Sequence, residues 1–424
     1  MIDKYVLYVD NFRGFQNTYI PLADVSFLVG ENSSGKTSIL KLLKLMSQRN
    51  LLVQGLFTSD DFSLTTADDL ITARSGGSFR IGMIRRLGDG KTYMPLGMVV
   101  AYESRDGIPI DIAFTCTLGA SEFAIRRVGT EIYTRVRKGV IKSDTDMLKL
   151  FSVWIRDQKR NSTAGFIRLE LPRELKKVTL LQVLAQIGTA SNSEFAGGRI
   201  DPTVVPPLTW LAPIRTKPRK TYDEPRYAFS SEGGHTPYLL QQALSGDRRF
   251  MRSIQKIGEA SGLFKTLRTR NFGKGQGDPF QVRIVLDKGS FNVTNVGYGV
   301  SQALPVIVEL LKTPPGSWIS IQQPEVHLHP RAQAALGDLI FDLARSEKKI
   351  FLIETHSDYM IDRYRVQLRK STTKPSSQVL FFERRNGKNS VTVLPINENG
   401  ELPADQPKSY RRFFIKEQME MLEL

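Results

Sequence analysis

The sequence predicts an α/β fold: a parallel sheet joined to an antiparallel β subdomain and a helical insertion. Three observations predict it. An apolar strand over Asp24–Val29 runs into Gly30-Glu31-Asn32-Ser33-Ser34-Gly35-Lys36-Thr37 and out into a periodic apolar helix from Ser38 to Met46. The last third of the chain alternates helix and strand, the pattern of parallel α/β sheets. Between these, Ser78 to Lys142 holds short strands separated by glycine turns, the pattern of antiparallel pairing.

In chain order, Tyr5–Val9 alternates as an opening strand, Asn11-Phe12-Arg13-Gly14-Phe15 forms a turn, and Thr18–Ile20 returns. Strands are expected at Phe79–Ile84, Met98–Tyr102, Ile108–Phe114, Phe123–Arg127 and Ile132–Val136. From Asp144 to Thr189 the apolar residues take helical spacing: Met147, Leu148, Leu150, Phe151, Trp154 and Ile155, then Leu180, Leu181, Val183, Leu184 and Ile187. Residues 191–207 read as a linker. Three regions follow: 1–142, 143–205 as the helical insertion, and 206–424. In the last, Leu208–Ala212 is a strand whose end carries Arg215, Lys217, Arg219 and Lys220. Helices are expected over Pro237–Ala260, from Val300, over Ala332–Arg345 and over Asp358–Leu368. Strands are expected at Phe280–Leu286, Trp318–Ile321, Lys349–Ile353 and Val379–Phe382.

Bulk composition bounds the function. The chain has 424 residues, 41% of them hydrophobic and 24% charged, enough for a sizeable core. Its net charge of +16 suggests a polyanionic partner. One cysteine, Cys116, excludes a disulfide framework and fits a buried small hydrophobe in a reducing cytosol. No apolar run approaches the roughly 20 residues of a membrane span. The N-terminus passes directly into a strand without a signal peptide, so a cytoplasmic location is expected.

Gly30–Thr37 fits G-x-x-x-x-G-K-[ST], the phosphate-binding P-loop. A strand, a glycine-rich turn and a helix N-terminus direct backbone N–H groups at phosphate oxygens. Lys36 adds a point charge, and the Thr37 hydroxyl is a Mg²⁺ ligand candidate. Such a site needs an acidic group at the carboxyl end of another strand. Ile319-Ser320-Ile321-Gln322-Gln323-Pro324-Glu325 and Leu352-Ile353-Glu354-Thr355-His356-Ser357 both read as apolar strands with polar tips. Three of the four histidines, His327, His329 and His356, fall there. Gly297-Tyr298-Gly299-Val300-Ser301-Gln302 reads as a small-residue loop opening a helix, where either a second phosphate or Ser301 itself, as an N-cap, would satisfy the N–H groups.

These motifs, as a set and in this order, resemble the ATP-binding-cassette-type heads of the SMC and RecF class. They are most similar to standalone bacterial ATPases related to the ATPase half of OLD-family nucleases. That class carries a G-x-N-x-[SA]-G-K-[ST] loop, a signature, an E-[QE]-P-E-x-H-L-H-P strand end and an [ED]-T-H-S switch. The resemblance covers both ends of the chain and says little about residues 80–205. It implies an ABC-type P-loop ATPase head using ATP and Mg²⁺. It also implies binding roles for Gly30, Asn32, Ser33, Ser34, Gly35, Lys36, Thr37 and Ser38, and for Arg13 in the N-F-R-x-F turn. Gly299 and Ser301 would cap the γ-phosphate held by a second protomer, so that ATP joins a homodimer or higher homo-oligomer. His356 would be the switch histidine.

One position departs from the pattern. The Mg²⁺-site acid of the class is matched by Gln322, and its neighbour is Gln323; neither amide is a carboxylate or general base. Glu325 is the next acid. A natural substitution and an engineered Glu-to-Gln change that traps ATP both leave this sequence, and slow or absent turnover follows from either. The chain ends soon after the switch, so a nuclease or toxin would be a separate effector protein, with anti-phage defence as the implied setting. The rival readings are a RecF-like ATPase gripping duplex DNA, a non-hydrolysing nucleotide switch, and a transporter's nucleotide-binding subunit. Residues 248–274 carry eight cations and one acid, Glu259, with few aromatics, which favours phosphate contacts or an acidic protein over base stacking.

Overall fold

The computed structural model describes residues 5–73, 76–85, 96–142, 145–172, 174, 178–183, 205–273, 275 and 277–413. The chain divides into two units that interleave in sequence. One comprises residues 1–23, 32–207 and 382–391; the other comprises 24–31, 208–381 and 392–424. The chain crosses from one to the other inside the P-loop, between Glu31 and Asn32.

The first unit is built on an eight-stranded sheet. Its strands are β1 (Tyr5–Asp10), β2 (Thr18–Leu22), β4 (Ser78–Arg85), β5 (Leu96–Arg105), β6 (Ile108–Leu118), β7 (Ser121–Val128), β8 (Glu131–Arg137) and β9 (Ile167–Leu169), in the order β2-β1-β4-β5-β6-β7-β8-β9. Every neighbouring pair is antiparallel. The same unit holds α1 (Lys36–Met46), the short helices α2 (Arg49–Gln54) and α3 (Ala67–Leu70), and α4 (Met147–Arg160).

Within residues 143–205, where a helical insertion is expected, the described residues hold α4, the short strand β9 and a helical turn at 180–183. Met147, Phe151, Trp154 and Ile155 of α4 form a core with Val6, Tyr8, Ile84 and Val99 of the sheet. Two sheet glycines make room for that helix. A Cβ at Gly82 would lie 2.8 Å from Phe151, and one at Gly97 would lie 2.7 Å from Met147. Trp154 donates its indole N–H to buried Glu122 at 2.9 Å. The chain then adds β9 to the edge of the sheet. Helical spacing therefore identified a real helix, but one whose apolar face belongs to the sheet. Leu180, Leu181 and Val183 are helical, while Leu184, Ile187 and most of the expected linker lie outside the described residues.

The second unit holds β3 (Val25–Gly30), β10 (Leu208–Leu211), β14 (Trp318–Gln322), β15 (Ile350–Glu354) and those parts of β16 (Ser377–Arg385) and β17 (Lys388–Ile396) that lie outside 382–391; these strands form one six-stranded sheet. The order is β10-β14-β15-β3-β16-β17. From β10 to β3 the pairs are parallel, and the strands β3, β14 and β15 are almost wholly buried, as apolar runs of parallel sheets require. Helices α5 (Thr236–Gly246), α6 (Arg248–Ser261), α7 (Tyr298–Lys312), α8 (Pro330–Glu347) and α9 (Asp358–Lys370) belong to this unit. Their core includes Phe27, Ile307, Ile321, Phe341, Ile353 and Tyr364.

The helical patterns expected over Pro237–Ala260 form two helices, α5 and α6. Asp247 separates them and caps α6 by accepting from the Phe250 N–H at 2.9 Å. A three-stranded antiparallel sheet of β11 (Thr266–Asn271), β12 (Phe280–Leu286) and β13 (Gly289–Asn292) was only partly legible, because the cations of β11 mask its alternation.

Candidate functional site

The P-loop grows out of β3, six buried residues ending at Gly30. The loop turns through left-handed backbone at Gly30 (φ 143°), Ser33 (φ 61°) and Gly35 (φ 101°). Gly35 then occupies the N-cap of α1, where no side chain caps the helix. Ser34 and Lys36 are buried. Only glycine fits at 35: a Cβ there would lie 2.5 Å from the Phe15 ring and 2.9 Å from Asn389 Nδ2. Asn389 donates that amide to the Arg13 carbonyl at 2.8 Å, and its backbone N–H to the Gly14 carbonyl, also at 2.8 Å. The Asn11–Phe15 turn therefore backs the P-loop, and Arg13, half-buried, rides on it. Arg384 reaches the Ser33 carbonyl at 3.4 Å. Asn389 and the backing role of Phe15 were missed in the sequence; nothing in the spacing links Asn389 to a loop more than 350 residues earlier.

In the parallel sheet, β15 borders β3, and β14 borders β15. Gln322 and Glu354 are paired in register at the two strand ends, with Leu28 of β3 next in line. Both are buried, and Gln322 Nε2 donates to Glu354 Oε2 at 2.8 Å. Gln323 turns sharply (φ 43°) and gives its N–H to the Glu354 carbonyl at 2.7 Å. His327 (φ 65°) completes the turn.

Glu325 does not sit with Gln322. It reaches the following strand tip, accepting from Thr355 Oγ1 at 2.9 Å and from the His356 N–H at 2.7 Å. Burial pushes its carboxyl above the usual range, opposed by those hydrogen bonds and by Arg215. Arg215, itself buried, donates to the carbonyls of Gln322 (2.9 Å), Gln323 (3.3 Å) and Pro213 (3.2 Å). Burial lowers its pKa to about 10, with Glu325 opposing, so it stays charged at neutral pH. Its sequence signal was only its place at a basic strand end.

His356 is half-buried, its ring tilted beside Phe413 at 5.8 Å. Ser357 caps α9 through the Met360 N–H and bonds Gln333 at 2.6 Å. The other histidines have structural work. His329 is the N-cap of α8, exposed His327 packs edge-on against Tyr298, and His235 bonds Glu309 at 2.6 Å in the interior.

The predicted signature opens α7. A Cβ at Gly299 would lie 2.6 Å from the His327 carbonyl oxygen, so glycine lets the helix seat on the strand-tip turn. Ser301 is not the N-cap. Gly297 holds that position, and the Ser301 hydroxyl donates to the Tyr298 carbonyl at 2.8 Å. Ser301 also lines a cleft with Lys217, Arg219 and Tyr222. On α6 and β11, Arg248, Arg252, Arg268 and Arg270 are exposed, whereas Arg249, Lys256 and Lys265 pair with Glu347, Asp342 and Asp287. Lys274 lies outside the described residues.

Two family models match the chain. Residues 4–83 match "AAA ATPase domain", and residues 242–362 match "AAA domain, putative AbiEii toxin, Type IV TA system". No curated protein matches the sequence. Solved structures that it resembles include an SMC head bound to the C-terminal winged-helix domain of ScpA (TM-score 0.45, 12% identity, covering 93% of this chain and 98% of that one). An SMC head domain from Thermotoga maritima (0.38, 13%, 93% and 99%) and one with a coiled coil and joint from Pyrococcus yayanosii (0.44, 10%, 98% and 99%) are others. None of these three reaches a TM-score of 0.5. The first matched segment carries the P-loop and the second carries the strand tips at Gln322 and Glu354, so both halves of the candidate site fall in segments similar to AAA ATPase domains. Among the described residues no helix is long and apolar enough to cross a membrane.

Proposed function

We propose that the chain binds ATP with Mg²⁺ through Gly30–Ser38, pairs with a second copy when ATP is bound, and thereby gates a separate effector, a nuclease or toxin. The observation that carries this reading is the P-loop emerging from β3 at the sheet edge where β15 and β14 end in Glu354 and Gln322. Ligands of open α/β sheets lie at that edge. The residues suit a triphosphate: a loop turning through left-handed backbone at Gly30, Ser33 and Gly35, a buried lysine, and a helix start that no side chain caps. Mg²⁺ would neutralise the β- and γ-oxygens. Lys36 would hold the phosphates and Thr37 would be a metal ligand. His356, fixed through its backbone N–H by Glu325, would face the γ-phosphate as the switch.

The anti-phage setting is carried by resemblance to the standalone OLD-like ATPases. The motive for pairing through Gly299 and Ser301 is a helix start that no side chain caps. Two equivalent sites then follow from two-fold symmetry. Duplex nucleic acid at the basic face of α6 and β11 is the second reading. Its motivation is the four exposed arginines there, although carboxylates already neutralise three neighbouring cations.

Sedimentation with and without ATP tests the pairing. The unaltered chain should gain mass with ATP, and Ser301→Arg should bind ATP but stay at its nucleotide-free mass. ATP-dependent association that survives in Ser301→Arg would remove Ser301 from the contact.

A further inference from the structure

We propose that a cleft between α5, α7 and the loop 216–226 binds a small organic anion, one carboxylate or phosphate group on a short apolar or aromatic stem. The cleft lies wholly within the second unit. It shares no residue with the P-loop, and the proposal does not rest on the ATP reading.

The walls are apolar and buried. Tyr222, Tyr238, Leu240, Val282 and Leu304 line the cleft. The two tyrosine rings meet edge to face, 6.1 Å between centroids. Close packing fixes one wall: at Gly233 (φ 80°) a Cβ would lie 2.4 Å from the Pro305 Cβ of α7. A preformed, mostly apolar cleft with a few polar groups is the usual form of a small-molecule site. Its water-accessible space is about 50 Å³. At roughly 12 Å³ per water, that is room for about four waters. One ring or a short branched chain fits such a space, and a nucleoside does not.

The exposed rim supplies charge. Lys217, Arg219 and Arg226 line it. Glu224 already pairs with Arg226 at 3.1 Å; among the described residues, Lys217 and Arg219 have no ion pair and Asp223 makes none. The Arg219 backbone N–H donates to the Tyr222 hydroxyl at 3.1 Å. Burial raises the Tyr238 hydroxyl above its ordinary pKa, and the Arg226 and Arg219 guanidiniums pull against that rise, so both stand near this hydroxyl.

A polar group in the lining lacks a partner. Thr236, at the start of α5, is 3% exposed, and its Oγ1 makes no hydrogen bond. A buried hydroxyl left unpaired is costly, and an oxygen of an anion held by Lys217 and Arg219 would accept from it. Rim cations and a spare hydroxyl donor select the anionic group, and the tyrosine and leucine walls select the stem.

The test titrates the full chain with phenylacetate, phenyl phosphate, neutral phenylacetamide and acetate, and follows binding by ligand-observed magnetic resonance. Whichever of the first two binds more tightly identifies the anionic group. That compound should bind at least about tenfold more tightly than phenylacetamide, which lacks the charge, and acetate, which lacks the ring. The double variant Lys217→Glu with Arg219→Glu should lose at least about tenfold, whereas Arg369→Glu, an exposed cation outside the cleft, should change affinity by less than about twofold. Thr236→Val should melt no lower than the unaltered chain, because it removes an unpaired hydroxyl, yet bind the anion more weakly. ATP with Mg²⁺ should not displace the bound anion. Absence of binding by both anions, equal binding of phenylacetamide, or unchanged affinity in either cleft variant would overturn the proposal. Displacement by ATP would also overturn it, by making the cleft part of the nucleotide site.

Discussion

Two neighbouring strands of one parallel sheet end in turns built by different means. After β3, the P-loop is shaped by its backbone: left-handed residues at 30, 33 and 35 carry the chain into α1 without a side-chain cap. After β15, the turn Glu354–Ser357 is shaped by side chains. Gln322 and Glu325 reach it from β14 and its turn, and Ser357 caps the next helix. A backbone-built turn needs particular residue types at fixed spacing, so it is written locally. A side-chain-built turn needs partners about 30 residues away, and their pairing depends on strand register.

That difference explains what was legible. The P-loop, the alternation of the last third and nearly every strand of the antiparallel sheet could be read directly, because period and glycine placement are local. The strand tips were legible as polar ends of apolar runs. What could not be read was which acid serves which neighbour. Glu325 looked like the nearest substitute for Gln322, yet it faces the switch turn, while Gln322 faces Glu354. Helix α4 shows the same limit on a larger scale. Its period was plain, but the glycines at 82 and 97 that admit it to the sheet have meaning only once the sheet is formed.

The largest expected effect breaks the comparison on the P-loop side. Lys36→Ala removes the one P-loop cation and should abolish ATP binding measured by calorimetry, with the melting temperature of the ligand-free protein altered far less. Undiminished affinity would show that the turn after β3 is not the phosphate site.

A smaller, structural effect sharpens it. Gly35→Ala forces a Cβ against Phe15 and Asn389 in backbone at φ 101°. Strained backbone and overpacking each cost about 1–3 kcal/mol. The expected outcome is a lower denaturant midpoint together with weakened ATP binding, since the same atoms hold the loop and its backing turn. A variant of unchanged stability would mean that Phe15 and Asn389 do not buttress Gly35.

The smallest effect lies on the other turn and is a matter of pH. Burial is the main reason that the Glu325 carboxyl titrates above its ordinary value of 4.5; the His356 N–H, the Thr355 hydroxyl and Arg215 pull it back without cancelling the rise. A folded-state pKa above the unfolded one means that the native protein holds this proton more tightly. As pH climbs past the ordinary carboxylate value, the unfolded chain loses the proton first, so Glu325's contribution to stability falls with rising pH. The fall ends once pH exceeds the folded value, and above it the penalty is constant. Glu325→Gln cannot titrate. It also forfeits one of the two accepted hydrogen bonds, a pH-independent cost of about 1 kcal/mol. The offset and the slope can be separated by measuring urea midpoints of both proteins from about pH 4 to about pH 8, a range that brackets the carboxylate titration. Relative to Glu325→Gln, the unaltered protein should lose stability as pH rises through the lower part of that range and then run parallel to it. Parallel curves throughout, or a relative gain with rising pH, would mean that the hydrogen bonds to the switch turn outweigh burial. Glu325 would then hold Thr355 and His356 as a fully ionised acid.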